Sequence, residues 1–188
     1  TLFPYTTLFR SNFFRYRWRE IGLWISLFLA KYVRGLTVMH GALYLKLIKA
    51  DGSVIDYGLV GRDLIVDDGH EYVVDAWQNS VEMENMKFHG LGTGTTAANA
   101  ADTALETELT TQYSTDNTRA TGTTTENGAK VFQTVATNTV DAAVAATEWG
   151  LLSQAATGGG ILFDRQVFTV VNLGNGDSLQ TTYDCTVS

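Results

Sequence analysis

The stretch 178–187 alternates without a break: Leu179, Thr181, Tyr183, Cys185 and Val187 fall on one face, Gln180, Thr182, Asp184 and Thr186 on the other. A side-chain period of two marks a strand with one covered and one wet face. Sliding such a strand by one residue would turn the whole apolar set into water, so its register is tightly specified. A chain carrying this segment must supply a sheet to pair with it and an apolar layer to cover it. Cys185, on the apolar face, is expected to be a buried small hydrophobe.

The same period recurs upstream. Residues 42–49 set Leu43, Leu45 and Leu47 against Tyr44, Lys46 and Ile48; Asp51-Gly52-Ser53 then offers a turn, and Val54, Ile55, Tyr57 and Leu59 suit a returning strand. Residues 63–66 are expected to add a third short strand. Phe88 and Leu91 suggest a short strand entering a glycine loop. Residues 121–125 and the alternating run of Val131, Gln133, Val135 and Thr137 flank Asn127-Gly128, a strong hairpin signal. Residues 142–152, containing Trp149, read as a partly buried strand, and Gly158-Gly159-Gly160 turns the chain towards Ile161, Leu162, Phe163, Val167 and Phe168.

Two segments break the period. Asp67 or Asp68 can N-cap a helix with Glu71 in its first turn, and Tyr72, Val73, Ala76 and Trp77 form an apolar stripe at helical spacing, ended by Asn79 and Ser80. Trp77 is expected to anchor that helix on the core. Residues 97–109, with a cap at Asp102, are expected to be helical in part. Strands about ten residues apart with turn residues between them define the fold class as mainly β, an antiparallel β-sandwich or barrel-like sheet with one or two short helices.

Charge divides the chain. Residues 1–34 carry six basic side chains and the single acid Glu20, whereas residues 35–188 carry seven basic and nineteen acidic ones. Residues 1–11, Thr-Leu-Phe-Pro-Tyr-Thr-Thr-Leu-Phe-Arg-Ser, resemble the in-frame translation of a sequencing adapter and are set aside from fold reasoning. Residues 12–34 join basic residues to a short apolar run, 21–30. That run is too short for a membrane-spanning helix and lacks the small-residue cleavage site of a signal peptide. The expected organisation is a non-native extension over 1–35 and one β-rich domain over 36–188.

The acidic balance of that domain argues against a nucleic-acid partner, whose phosphates call for clustered Lys and Arg. Its composition offers no chemistry of the familiar kinds. Gly92-Thr-Gly94-Thr-Thr-Ala97 matches a dinucleotide fingerprint, but no parallel βαβ context surrounds it, and a tight turn explains its glycines. His40, His70 and His89 lack metal-site spacing, and only His89, beside the glycine loop, invites inspection. Asp63, Asp67, Asp68 and Glu71 read as turn, cap and solvated surface. Ser153 and Ser178 lack a nucleophile elbow. No catalytic residue, cofactor or metal ligand is expected. Threonine instead dominates the last 98 residues, where 22 occur. It combines strand propensity with a hydroxyl for solvent or a partner chain, and few Lys or Pro residues are present to guard strand edges. Self-association is the expectation.

Several stretches resemble a recurring pattern of tailed-bacteriophage virion structural proteins. They are Phe88 through Gly92-Thr-Gly94-Thr-Thr-Ala-Ala, Asp102-Thr-Ala-Leu-Glu-Thr-Glu-Leu, Thr118-Arg-Ala-Thr-Gly, Thr147-Glu-Trp-Gly-Leu-Leu-Ser, Leu162-Phe-Asp-Arg-Gln-Val-Phe and Asn172-Leu-Gly-Asn-Gly-Asp-Ser-Leu-Gln-Thr-Thr-Tyr. The resemblance spans residues 40–188. It implies a non-enzymatic virion component, of tail-fibre or capsid-decoration type, that contacts other virion proteins and copies of itself, with no membrane partner and no catalytic residues. The alternative is a host-surface adhesin in which Tyr57 or Tyr113 lines a glycan groove.

Overall fold

The computed structural model describes residues 38–188, without the side chains of Asp63 and Leu64. The adapter-like string, the basic segment and the expected boundary at residue 35 lie outside the described residues. In chain order the elements are β1 (Met39–Ile48), β2 (Val54–Leu64), helix α1 (Asp67–Trp77), a 3-10 turn (Met83–Asn85), β3 (Phe88–Gly92), β4 (Ala120–Thr121), β5 (Thr123–Glu126), β6 (Val131–Thr139), β7 (Val144–Leu152), β8 (Leu162–Leu173) and β9 (Ser178–Val187).

The strands form two antiparallel sheets, so the sandwich holds and no barrel closes. The first has the order β2-β1-β9-β6-β5 and the second β4-β3-β7-β8. β9 therefore lies between β1 and β6, pairing Phe132 with Cys185 and Thr134 with Tyr183. Leu43, Leu45 and Leu47 of β1 and Leu179, Tyr183 and Cys185 of β9 turn inward to one core with Leu91, Trp149, Leu151 and Phe163 of the second sheet. Each such side chain contributes about 1.5–3 kcal/mol on full burial. The β9 alternation read from the sequence is the observed one, except that Val187 at its end is exposed. Two turns demanded glycine: Gly52 after β1 and Gly128 between β5 and β6 both hold positive φ, at 84° and 101°.

Four expectations need correction. Residues 63–66 make no third strand: β2 runs through Leu64, and Ile65 and Val66 are irregular, packed into the core. Neither Asp67 nor Asp68 caps α1. Val66 occupies the N-cap with no side-chain bond, and both acids lie in the first turn, where they still favour the exposed N–H groups. Trp77 is no anchor, being 81% exposed; Tyr72 does that work, buried with its hydroxyl donating to the Glu82 carbonyl at 2.7 Å. The end of α1 is as expected, and Asn79 (φ 58°) closes it in the left-handed conformation. The Asn79 N–H returns to Ala76 and the Ser80 N–H to Asp75, satisfying two terminal carbonyls in a Schellman arrangement. Finally, residues 97–109 contain no helix.

That irregular segment has a structural role instead. Residues 94–107 lie against the face of the second sheet that is turned away from the core, and Leu109 and Tyr113 then enter the core. Leu105 approaches Gly90 and Gly150 so closely that a Cβ on either glycine would press against its methyls. The second sheet is thus covered on both sides, and β7 is buried on both faces from Glu148 to Leu152. The first sheet keeps a half-exposed outer face carrying Tyr44 and Lys46, Gln180, Thr182 and Asp184, and Gln133.

Candidate functional site

Two polar clusters lie buried in the sandwich. The first is centred on His89, fully inaccessible on β3. Trp149 Nε1–H donates to its Nδ1 at 3.1 Å, and Thr181 Oγ1 lies 2.6 Å from the same nitrogen. An indole can only donate, so Nδ1 carries the lone pair and Nε2–H donates to Thr134 Oγ1 at 3.1 Å. Burial lowers the His89 pKa from 6.5 to about 3, leaving the ring neutral. Asn138 completes the cluster: its amide donates to the His89 carbonyl at 2.9 Å and its Oδ1 accepts from Ala120 N–H at 3.0 Å. The threonines and Asn138 come from β6 and β9, so these bonds stitch the first sheet to the second. His89 is a satisfied interior group with no path to a substrate.

The second cluster is ionic and holds segment 93–119 in place. Glu148, fully buried, accepts from Gly94 N–H (2.9 Å), Thr107 N–H (2.7 Å), Glu106 N–H (3.0 Å) and Arg165 Nε (2.9 Å). Arg165 also reaches Asp102 at 2.9 Å and Glu106 at 3.4 Å. Arg119, similarly buried, forks onto Glu108 and donates to the Gln154 and Gly159 carbonyls at 2.8 and 2.9 Å. Here the glycine motif finds its reason. No helix follows it, and neither Gly92 nor Gly94 has positive φ. A Cβ on either would strike the Glu148 carboxylate. The glycines permit close approach to a buried anion of the protein itself, where the sequence suggested only a tight turn.

The remaining flagged residues do not converge. His40 is half-buried on β1, and His70 is exposed on α1 with Nδ1 3.1 Å from the Val66 carbonyl. Ser153 Oγ accepts from Ile161 N–H at 2.8 Å, and Ser178 shares a hydrogen bond with Thr139. Among the described residues no group of three His, Cys, Asp or Glu side chains could hold a metal ion, and no helix is long and apolar enough to cross a membrane. Cys185 is buried, with its thiol pushed up to about 12 by burial first and by Asp164 second. Tyr113 cannot line a groove: it is 2% exposed, and its hydroxyl bonds the Leu91 N–H at 2.6 Å and carbonyl at 3.2 Å.

Accessible chemistry lies on the first sheet. β2 is an edge strand whose one hydrogen-bonded neighbour among the described residues is β1. Its N-terminal half is exposed on both faces, with Val54 (53%), Ile55, Tyr57 and Leu59 open to solvent. Beside it, a shallow cavity of about 330 Å³ opens on the outer face, lined by side chains of β1, β2, β6 and β9. Sequence reasoning placed Tyr57 on a strand and, in the adhesin alternative, in a glycan groove, and it placed the wet face of β9. It missed the buried ionic side chains Arg119, Glu148 and Arg165.

Compared with models of known families, with curated proteins and with solved structures, the chain finds no match.

Proposed function

We propose that this chain is a non-enzymatic structural protein of a bacteriophage particle, located in the virion and acting through contacts with other virion proteins and with copies of itself. The observation that carries the contact role is β2: an eleven-residue edge strand with Val54, Ile55, Tyr57 and Leu59 exposed. Exposed apolar side chains on an edge strand form a template for another strand, and Asp56 and the bulge at Tyr57 blunt it only in part. The interior fits the same role, because His89, Glu148, Arg165 and Arg119 are each engaged in holding sheets and segment together. The virion setting rests on the sequence resemblance.

Light scattering after size exclusion at micromolar concentration tests the contact role. An oligomer that Ile55→Lys with Tyr57→Glu converts to a folded monomer supports it; a monomer before substitution overturns it. Mass spectrometry of purified particles tests the setting, and absence of the chain from them sinks it.

A further inference from the structure

We propose that the cavity on the outer face of the first sheet is a saccharide-binding site that takes a neutral pyranose unit of a glycan. This goes beyond the structural role and stands without it. The cavity, about 330 Å³, lies at the small end of the range for ligand pockets, about 300–1,000 Å³. Tyr44 supplies its aromatic ring, and Lys46, Asp56, Gln133, Gln180 and Asp184 supply its polar groups.

Four of these groups stand in two pairs. Gln133 Nε2 donates to Asp184 Oδ1 at 2.8 Å across the β6–β9 pairing, holding amide and carboxylate side by side. Lys46 Nζ lies 3.7 Å from Asp56 Oδ2, and Asp56 Oδ1 accepts from Gly58 N–H at 2.8 Å. At the rim, β2 departs from regular pairing. Leu45 faces Gly58 and Lys46 faces Asp56, so Tyr57 is an inserted bulge residue. Gly58 holds φ 62°, and a Cβ there would meet nothing within 4 Å. Conformation, not crowding, calls for glycine, and the bulge bends the edge strand beside the cavity. Bulges are over-represented next to binding sites because they re-aim side chains.

The ligand class follows from the chemistry. A pyranose has a C–H face that packs on an aromatic ring and equatorial hydroxyls that both donate and accept. Two amides, two carboxylates and an ammonium around one tyrosine complement that pattern, whereas an apolar ligand would leave them unpaired. One cation against two carboxylates disfavours phosphates, sialic acids and uronic acids. Lys46 and Asp56 remain in water, so hydroxyls can replace solvent there with little change in desolvation.

The test uses the full chain on an array of immobilised neutral, N-acetylated and acidic glycans, followed by calorimetry with the methyl glycosides of glucose, galactose, mannose and N-acetylglucosamine. Binding of a neutral glycan is expected, weakened at least about tenfold by Tyr44→Ala, the equivalent of about 1.4 kcal/mol, and kept within about threefold by Tyr44→Phe, which retains the ring face. Asp184→Asn and Gln180→Ala are expected to weaken it as well, and they carry the test if Tyr44→Ala does not fold. A folded chain that binds no neutral glycan, prefers acidic ones, or binds equally after these substitutions overturns the proposal. The oligomeric state is read separately, so failure here leaves the contact role standing.

Discussion

The two buried polar clusters meet the same problem in opposite ways. Between the sheets, His89 is kept uncharged and its hydrogen bonds with Trp149, Thr134 and Thr181 are neutral. Beneath segment 93–119, Glu148 and Arg165 share a direct ion pair with Oε2 2.9 Å from Nη2 and are further satisfied by backbone N–H groups and by Asp102. A lone ring between two closed apolar layers has no counter-ion and sheds its proton. A carboxylate under a polypeptide segment can recruit amides and a guanidinium, and so keep its charge. The neighbourhood, more than the residue type, decides which solution is open.

The contrast can be broken most forcefully with acid. His89 has a folded pKa of about 3 against 6.5 when unfolded, so the unfolded chain binds the extra proton. The contribution of His89 to stability is full above pH 6.5 and is lost as pH drops towards 3, by about 1.4 kcal/mol per pH unit and on the order of 4–5 kcal/mol across the window. Urea denaturation at stepped pH measures this, and His89→Gln should flatten the dependence above the carboxylate range. In the ionic cluster, Glu148→Ala takes from Arg165 one of its three carboxylate partners and leaves three N–H groups unpaired, and is expected to cost about 3–5 kcal/mol at neutral pH. A cost under 1 kcal/mol would mean that segment 93–119 holds itself in place without the carboxylate. Trp149→Phe keeps most of the ring and removes the indole donor to His89, for an expected loss of about 1–3 kcal/mol by thermal melting. Trp77→Ala, at a largely exposed side chain, is expected to stay within about 0.5 kcal/mol, which gives the scale against which the other values are read.

What the sequence made legible follows from which forces are local. β1, β6 and β9 were readable because each has one wet and one dry face, and period two records that directly. α1 was readable as a helix, but its stripe did not say which end would meet the core, and Tyr72 rather than Trp77 does. Residues 97–109 were misread as partly helical because Asp102 and Leu105 mimic a cap and an apolar face. Their real determinants, Glu148 and Arg165, lie on β7 and β8, far along the chain. The glycine motif misled for the same reason, since the anion it accommodates arrives from β7. Gln180, Thr182 and Asp184 were legible as the wet face of β9 and Tyr44 with Lys46 as one face of β1, but Gln133, Asp56 and Gly58 were given no face, and their convergence depends on the strand order β1-β9-β6, which no local pattern encodes.

The insertion of β9 between β1 and β6 bears on how the molecule can be made. During synthesis the β1–β2 and β5–β6 hairpins emerge from the ribosome early, but neither can join the other while the strand that bridges them is still untranslated. Their inward Leu43, Leu45, Leu47, Phe132 and Ala136 must wait in a partly assembled state, and closing the gap then requires contacts of long sequence separation, which form slowly. Nascent chains stalled just short of residue 178 should therefore be captured by trigger-type chaperones and digested readily, whereas chains released past residue 187 should resist protease.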